Sequence, residues 1–306
     1  MELSVVIPIY NRQQYLDRTL QSIAHSTVLP HSLILVDNNS TDGSMDLCRR
    51  FKEEHENDGF SVIIVEEKQP GANAARNAGL RCCDTEWIYF FDSDDDFDSD
   101  FISSVDKCEL TDCDCLLFPT KMNISGCTRN RAFKYATDIP FQILSAMLST
   151  QSMLFRTDYL RKIGGWNEQL LVWQDWELGT RLLLHAPNVE WITGRTFHTI
   201  NIHPDSITGN KMSDRYDRKL ASIDAVSHML TNPSHQMALI LRTYILLGQF
   251  KHEKAVDAID ACKSFISHNF KAKHKIAGTL LSTYVAHGGR GAWKIAYQYC
   301  GCLFAS

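Results

Sequence analysis

The sequence lacks long apolar runs and the dense cysteine pattern of small secreted proteins. No uninterrupted apolar stretch approaches the ~18 residues that a membrane-spanning helix requires. Ten cysteines are spread irregularly over 306 residues, which indicates reduced thiols and not a disulfide scaffold. The first residues, Met1 to Ser4, carry no basic cluster of the kind that opens a signal peptide. We therefore expect a cytoplasmic protein.

The composition is that of an ordinary globular protein, but the charge is unevenly distributed. Hydrophobic residues make up 44% of the chain and charged residues 22%, which excludes a disordered, collagen-like or coiled-coil chain. Residues 251–306 hold eight Lys and Arg against three Asp and Glu, a net charge of +5. Because the whole chain has a net charge of −5, the first 250 residues carry −10. The acidic body argues against nucleic-acid binding. Solvated helix faces would also account for both charges.

Apolar runs alternate with amphipathic segments in the first hundred residues. The pattern predicts strands at 3–9, 33–36, 62–65 and 87–91, with helices between them. This rhythm is typical of an α/β fold, a Rossmann-like, mostly parallel sheet with helices on both faces, which binds ligands at the carboxyl ends of its strands. The later part of the chain reads as helical, so we expect two domains, 1–213 and 214–306.

Four acids in five residues follow the fourth predicted strand. The carboxylates of residues 92–96 (DSDDD) would repel one another unless cations offset their charge. Their hard oxygens favour Mg²⁺ or Mn²⁺. An EF-hand is excluded, because Phe97 stands where that loop needs glycine and Ser103 where it needs glutamate. A solvated acidic loop is the alternative to a metal site.

Five motifs in order resemble those of family 2 glycosyltransferases of the GT-A fold. They are SVVIPIYNR at 4–12, VDNNSTDGS at 36–44, Gly71 with ARNAGL at 75–80, FDSDD at 91–95 and GGWNE at 164–168. Their order and spacing over about residues 3–210 make the combination specific. The resemblance implies a GT-A domain that binds a nucleotide sugar, and it does not reach the C-terminal third.

The resemblance implies that five residues contact the nucleotide, namely Pro8, Tyr10, Asp37, Arg76 and Asp92. Tyr10 would lie against the base, Asp37 would accept a hydrogen bond from a uracil-type ring, and Arg76 would bind phosphate. Simpler alternatives stay open at this stage. Tyr10 would then be a packed turn residue, Asp37 a helix cap and Arg76 a surface arginine.

The resemblance also implies metal ligands. Asp94 would bind Mn²⁺ or Mg²⁺ directly, and His203 would be a further ligand in a loop after the last strand. A solvent-facing His203 is the alternative. Asn201 stands where the family often has arginine, which puts a phosphate contact at that position in doubt. His198 matches no motif, and we interpret it as a structural residue.

Residues 173–178 (WQDWEL) occupy the place of the family's catalytic carboxylate motif. The resemblance implies that Asp175 is the general base for the acceptor hydroxyl, with Gln174 where glutamate is usual. Trp173 and Trp176, with Gln174, would lie on the acceptor side, where aromatic rings stack on sugars. Alternatively, Asp175 is an acid favoured by the helix dipole, and some of the tryptophans belong to the core.

The expected function is that of an inverting, metal-dependent glycosyltransferase. It would move a sugar from a nucleotide sugar, by resemblance a UDP-sugar, to a hydroxyl of a cell-surface glycan or a lipid-linked acceptor. Glu177 is the alternative base. Two other functions stay open, a nucleotidyltransferase on a similar sheet and a non-catalytic glycan- or nucleotide-binding protein.

The C-terminal segment has an amphipathic pattern. Trp293, Ala296, Tyr297, Cys300 and Phe304 fall on one helical face, with lysines and an arginine nearby. An aromatic face with cations beside it is typical of a helix in a membrane interface. We therefore expect peripheral membrane contact through this region. The alternative is that this face packs on the catalytic domain.

Overall fold

The computed structural model describes residues 1–55, 59–202, 211–270 and 274–304. The chain divides into two compact units. The sheet unit comprises Met1–Tyr135, Leu148–Leu171 and His185–His203. The helical unit comprises Ala136–Met147, Val172–Leu184 and Pro204–Ser306. These units are defined by spatial proximity alone, and the domain boundary near residue 213 stays a prediction.

Ten strands, β1 to β10, are present in the described part of the sheet unit. In chain order they are Leu3–Ile9, Ser32–Asp37, Ser61–Glu66, Trp87–Phe90, Cys115–Leu117, Thr120–Ile124, Cys127–Asn130, Met153–Arg156, Val189–Trp191 and Phe197–Ile202. Seven strands form one sheet in the order β3-β2-β1-β4-β8-β5-β9, and β10, β6 and β7 form a smaller sheet. In the large sheet only β8 runs antiparallel to its neighbours. The predicted mostly parallel α/β sheet is confirmed.

Five α-helices accompany these strands in the described part of the sheet unit. They are α1 (Gln13–Ala24), α2 (Ser44–Glu54), α3 (Ala72–Cys82), α4 (Phe101–Val105) and α6 (Thr157–Lys162). β1 and β2 are buried along almost their whole length, which explains why both are continuous apolar runs in the sequence. Gly79 lets α3 lie against β1, because a Cβ there would be 2.3 Å from Cγ1 of Val6.

The carboxyl ends of three neighbouring strands meet at one edge of the large sheet. β1 pairs in parallel with both β2 and β4. The segments that begin at Tyr10, Asp37 and Asp92 therefore emerge side by side. This edge is where ligands bind in open α/β sheets.

No periodic pattern predicts secondary structure for most of 120–148, nor for 153–162. The structure has the β6–β7 hairpin in the first stretch, and β8 and α6 in the second. All four residues of β7 are exposed, so no apolar alternation marks that strand. β8 has only four residues, too few for a period to be visible.

The helical unit contains seven helices among its described residues. They are α5 (Ile139–Ser145), α7 (Gln174–Leu184), α8 (Tyr216–Ser227), α9 (Pro233–His252), α10 (Val256–Phe270), α11 (Lys275–Ala286) and α12 (Ala292–Phe304). α9 is central and contacts α5, α8, α10, α11 and α12. Its neighbours cover it on several sides, which explains why it has no single apolar stripe. No described helix is long and apolar enough to cross a membrane.

The face of α12 that the sequence assigned to a membrane is packed inside the helical unit. Ala296 and Cys300 are buried. The rings of Trp293 and Tyr297 lie 5.5 and 5.4 Å from that of Phe141 in α5, centroid to centroid. This face is therefore not available to a bilayer. It packs on α5, which lies within residues 1–213 but belongs to the helical unit. The side chain of Phe304 lies outside the described residues.

Candidate functional site

The loops after β1 and β2 are tied together by side chains from both. The backbone N–H of Thr41 donates to Asn11 Oδ1 at 2.8 Å, and that of Arg12 donates to Ser44 Oγ at 2.8 Å. Asn11 has a φ of 50°, in the left-handed region that asparagine tolerates better than most residues. The polar residues of the first two motifs thus fix the shape of this edge of the sheet.

A third loop is held to the same edge by Asn38. Its Nδ2 donates to the carbonyl oxygens of Glu67 and Gln69 at 2.8 and 2.7 Å, and its Oδ1 accepts from the backbone N–H of Gly71 at 2.7 Å. All the bonds run to the segment that leads from β3 into α3. Asn38 lies in the second motif, and no role is predicted for it from the sequence.

Three of the predicted nucleotide contacts lie at this edge. Tyr10 is 57% exposed, which removes the alternative of a packed turn aromatic. Asp37 is buried at the end of β2, where its Oδ1 accepts from the backbone N–H of Ser40 at 3.2 Å. Pro8 is half-buried near the end of β1. The nucleotide roles of these residues stay predictions.

Arg76 is buried and not a surface residue, contrary to one alternative from the sequence. Its guanidinium donates to Asp92 Oδ1 at 2.8 Å and to Asn73 Oδ1 at 3.1 Å. The same group lies 4.5 Å from the ring centroid of Trp166. Arg76 therefore connects the third motif with the acidic loop, and its contact with phosphate stays a prediction.

The GGWNE motif docks onto α3. Asn77 Nδ2 donates to the carbonyl oxygen of Trp166 at 2.9 Å and to Glu168 Oε1 at 2.7 Å, and its Oδ1 accepts from Trp166 N. Gly165 has a φ of +63°, and a Cβ there would be 2.8 Å from Asn77 Oδ1. Both facts explain why glycine occupies this position.

The acidic loop, here residues 92–96, is stabilised by arginines. The pairs are Asp92 with Arg76 at 2.8 Å, Asp94 with Arg12 at 3.6 Å and Asp96 with Arg18 at 2.8 Å. The sequence predicts that cations offset the charge of these carboxylates and that the cation is a metal ion. The structure supplies three guanidinium groups, and Arg12 and Arg18 were not predicted as part of the site.

Asp95 is the buried member of the acidic loop. Its Oδ2 accepts from Gln151 Nε2 at 2.5 Å, and its Oδ1 accepts from the backbone N–H of Asn201 at 2.7 Å. Burial, and then the charges of Asp92 and Asp94, raise the pKa of Asp95 well above its usual value.

Two further residues hold the acidic loop and were missed as site residues. Gln151 Nε2 also donates to Asp92 Oδ2 at 2.7 Å, and Asn201 Nδ2 donates to Asp96 Oδ2 at 3.0 Å. Asn201 was noted only as a departure from the family pattern. Gln151 lies in a turn between α5 and β8, and no motif or periodicity marks it in the sequence.

The donor set fits a metal ion only in part. No three or more His, Cys, Asp or Glu side chains are arranged to hold a metal ion in the part of the chain that the structure describes. The side chain of Asp94 is 15% exposed, and its ion pair is the longest of the three. Mg²⁺ commonly takes one or two carboxylates and completes its shell with phosphate oxygens and water. Asp94 fits such an ion, and His203 lies outside the described residues.

His198 is a structural residue, as predicted. It is buried among aromatic rings, 4.8 Å from that of Phe97 and 4.5 Å from that of Phe101. Its Nδ1 accepts from the backbone N–H of Asp98 at 3.1 Å. Burial, with a smaller effect of the Arg195 charge, lowers the pKa of His198 to about 3.

The predicted acceptor-side tryptophans differ in exposure within the helical unit. Trp176 is 1% exposed, and its indole N–H donates to the carbonyl oxygen of Ile143 at 3.0 Å. Trp173 is half-buried and has a φ of 54°, which is unusual for a bulky residue and costs conformational energy. The guanidinium of Arg242 lies 5.0 Å from the Trp173 ring centroid. Burial favours a core role for Trp176, as it does for Trp166 of the sheet unit.

Asp175 and Gln174 are half-buried in the first turn of α7. Asp175 Oδ1 accepts from the backbone N–H of Trp176 at 2.9 Å. The alternative base, Glu177, is buried and accepts two hydrogen bonds from Arg181, at 2.7 and 3.1 Å. A buried carboxylate that is paired on both oxygens is poorly placed to take a proton from a substrate.

The carboxyl edge of the sheet thus combines an exposed aromatic ring, a buried aspartate and an acidic loop paired with arginines. Open α/β sheets bind their ligands at this edge. Residues 4–107 match the family described as Glycosyl transferase family 2. This match covers about a third of the chain and agrees with the predicted resemblance, and the sheet unit has the predicted GT-A fold.

Relatives with assigned names agree with this classification. The chain is 34% identical over 99 residues to poly(ribitol-phosphate) beta-glucosyltransferase of Bacillus spizizenii, a match that covers 31% of this chain and 15% of the relative. The chain spans about 15% of the length of the first curated relatives that it matches.

Solved structures share the fold at low sequence identity. Staphylococcus aureus TarS 1–349 in complex with UDP-GlcNAc aligns with a TM-score of 0.64 at 17% identity, covering 100% of this chain and 92% of that one. The mannosyltransferase PcManGT of Pyrobaculum calidifontis, in complex with GDP-Man and Mn²⁺, aligns with a TM-score of 0.58 at 15% identity, covering 100% and 88%.

Proposed function

We propose that this protein is an inverting glycosyltransferase that transfers a sugar from a nucleotide sugar to a hydroxyl of a cell-surface glycan or a lipid-linked acceptor. The observation that carries the proposal is the carboxyl edge of the sheet, where Tyr10, Asp37 and the acidic loop follow three adjacent strands. The relatives and fold neighbours act on or bind glycosyl donors, which supports the same class of reaction.

Tyr10 and Asp37 would bind the base of the nucleotide. The exposed ring of Tyr10 offers a stacking surface, and the carboxylate of Asp37 accepts hydrogen bonds at the end of β2. A UDP-sugar is the donor we propose, because a uracil ring N–H is a donor that a carboxylate recognises. TarS, which aligns over the whole chain, was solved with UDP-GlcNAc.

Asp94 would hold Mn²⁺ or Mg²⁺, which when bound neutralises charge on the diphosphate leaving group. Arg76 and Gln151 orient Asp92 beside it, so that the loop keeps its shape when the diphosphate arrives. The neighbour PcManGT was solved with Mn²⁺, which supports this choice of ion.

Asp175 would be the general base. It takes the proton from the acceptor hydroxyl as the oxygen forms a bond to the anomeric carbon, and the bond from that carbon to the diphosphate breaks. The pairing of Glu177 with Arg181 favours Asp175 over its neighbour. Trp173 and Gln174, both half-buried beside Asp175, would contact the acceptor.

The named relative poly(ribitol-phosphate) beta-glucosyltransferase supports an acceptor of the cell-surface polymer class. The function is tested by incubating the full chain with poly(ribitol phosphate) as acceptor and with UDP-GlcNAc, UDP-glucose or GDP-mannose as donor, with MnCl₂ or with EDTA. We expect release of the nucleoside diphosphate from at least one donor, in the presence of the metal only. Release of pyrophosphate from a nucleoside triphosphate would instead indicate a nucleotidyltransferase. Donor binding without turnover would indicate a non-catalytic binding protein.

A further inference from the structure

Two helices of the helical unit carry apolar stripes on their outer surfaces. In α11 the stripe consists of Ile276, Leu280 and Tyr284, which are 81%, 67% and 43% exposed. In α12 it consists of Ile295, Tyr299 and Leu303, all exposed. Residues four apart lie on one side of a helix, so each set of three forms a continuous stripe. Exposed apolar residues that cluster in this way mark interaction surfaces.

The opposite faces of both helices are firmly packed, so the stripes are not undocked core surfaces. A Cβ on Gly278 of α11 would be 2.2 Å from the ring of Tyr244 in α9, which shows how closely the two helices approach. In α12, Ala296 and Cys300 are buried. The orientation of each helix is therefore set by its inner face, and the stripes remain in solvent.

The two stripes lie on neighbouring antiparallel helices. The ring of Tyr299 lies 6.5 Å from that of His274, at the start of α11. At the other end, the hydroxyl of Tyr284 donates to the carbonyl oxygen of Arg290, in the connection between the helices. The six side chains therefore belong to one double-helix surface, here called the α11–α12 surface.

The charged side chains of the segment that forms α11 and α12 have one sign. No Asp or Glu follows Asp260 in the sequence, whereas six Lys and Arg do. Lys275, Arg290 and Lys294 are exposed on or between the two helices, and none forms an ion pair with a carboxylate in the described part of the chain. An anionic partner would complement these cations.

We propose that the α11–α12 surface binds anionic lipid membranes. Exposed apolar side chains on two neighbouring helices that also carry cations, with two tyrosines among them, match the chemistry of the boundary between acyl chains and anionic headgroups. Neither helix is long and apolar enough to span a bilayer, so this surface would lie on the membrane and not cross it. The residues of the α11–α12 surface differ from those of the buried face of α12, for which membrane contact was predicted from the sequence. Membrane binding by this surface does not depend on the proposed function.

The test is cosedimentation of the full chain with vesicles of phosphatidylcholine alone and of phosphatidylcholine with 30% phosphatidylglycerol. We expect binding to the anionic vesicles only, and strong weakening in high salt, because each cation near such a surface contributes on the order of fivefold in affinity. Failure to bind anionic vesicles at low salt would overturn the proposal.

Paired variants assign the binding to this surface. Ile276→Ser with Leu280→Ser should reduce binding at least ~10-fold, because it removes two side chains that would enter the bilayer. The matched control is Val256→Ser with Val28→Ser, two exposed apolar residues outside the stripes, and it should bind as the wild type does. Equal binding by the two double variants would overturn the assignment.

The other partners that such a surface could serve give different results. A dimer that forms in solution and dissociates with Ile276→Ser and Leu280→Ser would assign the surface to a second copy of the chain. Binding to an acidic polypeptide such as polyglutamate, with no binding to anionic vesicles, would assign it to an acidic protein. Either result would contradict membrane binding.

Discussion

The two units of this protein are organised by different forces. In the sheet unit, polar side chains connect the loops. Three ion pairs, with Arg12, Arg18 and Arg76, lie in the acidic loop. In the helical unit, α9 is surrounded by apolar helix faces, and close approach at Gly278 sets the packing against α11. Hydrogen bonds also join helices of this unit, as from the Trp176 indole N–H to the carbonyl oxygen of Ile143, and the sheet unit has an apolar core of its own. The units differ in their loops, because those of the sheet unit place charged groups.

The proposed function makes the same division. The donor residues lie in the sheet unit, and the proposed base lies in the helical unit. Variants at the proposed donor residues should therefore weaken donor binding, whereas variants at the proposed base should lower turnover. Measuring donor binding and turnover separately tests this difference.

The largest effect is expected from Asp175→Asn. Turnover should fall by at least ~10²-fold, because a positioned general base contributes about 10²–10⁴-fold. The dissociation constant for the donor should stay within about twofold of the wild-type value, since the base contacts the acceptor. Asp257→Asn is the control, because Asp257 is an exposed acid in the first turn of another helix of the same unit. A variant that keeps most of its transfer rate would move the role of base to another residue.

A large effect on stability is expected from Arg76→Met. The change leaves Asp92 without its buried ion-pair partner and should lower the free energy of unfolding by about 2–4 kcal/mol. Arg81→Met, on the same helix but at a side chain that is 60% exposed, should cost less than ~1 kcal/mol. Urea titration of both variants measures the difference. Equal losses would mean that the buried network adds nothing beyond a surface ion pair.

Gly79→Ala tests the packing of α3 on β1. A Cβ at this position would overlap Val6, so the free energy of unfolding should fall by about 1–3 kcal/mol. Gly301→Ala, in α12 of the helical unit, meets no atom within 4 Å and should be neutral or slightly stabilising. Thermal unfolding of the two variants sharpens the comparison between the units. A neutral Gly79→Ala would contradict the close approach of helix and strand.

His198 should make the stability of the protein depend on pH. Its pKa is about 3 in the folded chain against an ordinary 6.5, so the unfolded chain binds a proton first as the pH falls. Stability is therefore present above about pH 6.5 and decreases below it, by about 2 kcal/mol between pH 7 and pH 5. His198→Phe should remove this part of the pH dependence, whereas His31→Gln, at an exposed histidine, should keep it. Parallel pH profiles for the wild type and His198→Phe would contradict the result.

The sequence predicted the sheet and the positions of the motifs well, because buried parallel strands are long apolar runs. It did not predict which groups neutralise the acidic loop. Arg12 and Arg18 reach that loop across many residues of chain, and Gln151 lies in a stretch without periodicity. Interactions of this kind depend on which strands become neighbours, and no local pattern encodes them.

The same limit explains the two faces of α12. Periodicity correctly grouped Trp293, Ala296, Tyr297 and Cys300 on one side, but it cannot tell whether an apolar face meets protein or lipid. Packing of Phe141 against this side decided the question. The exposed stripe of Ile295, Tyr299 and Leu303 became visible only once the buried face was known.

On the proposed function, the acidic loop of the sheet unit binds a nucleoside diphosphate together with a divalent cation. Titration calorimetry of UDP into the wild-type chain and into Asp94→Asn, each with MnCl₂ and with EDTA, tests it directly. We expect Mn²⁺ to tighten UDP binding to the wild type at least ~10-fold. In Asp94→Asn this dependence on Mn²⁺ should be lost, while the circular dichroism spectrum is unchanged. An Asp94→Asn variant whose UDP affinity responds to Mn²⁺ as the wild type does would contradict it.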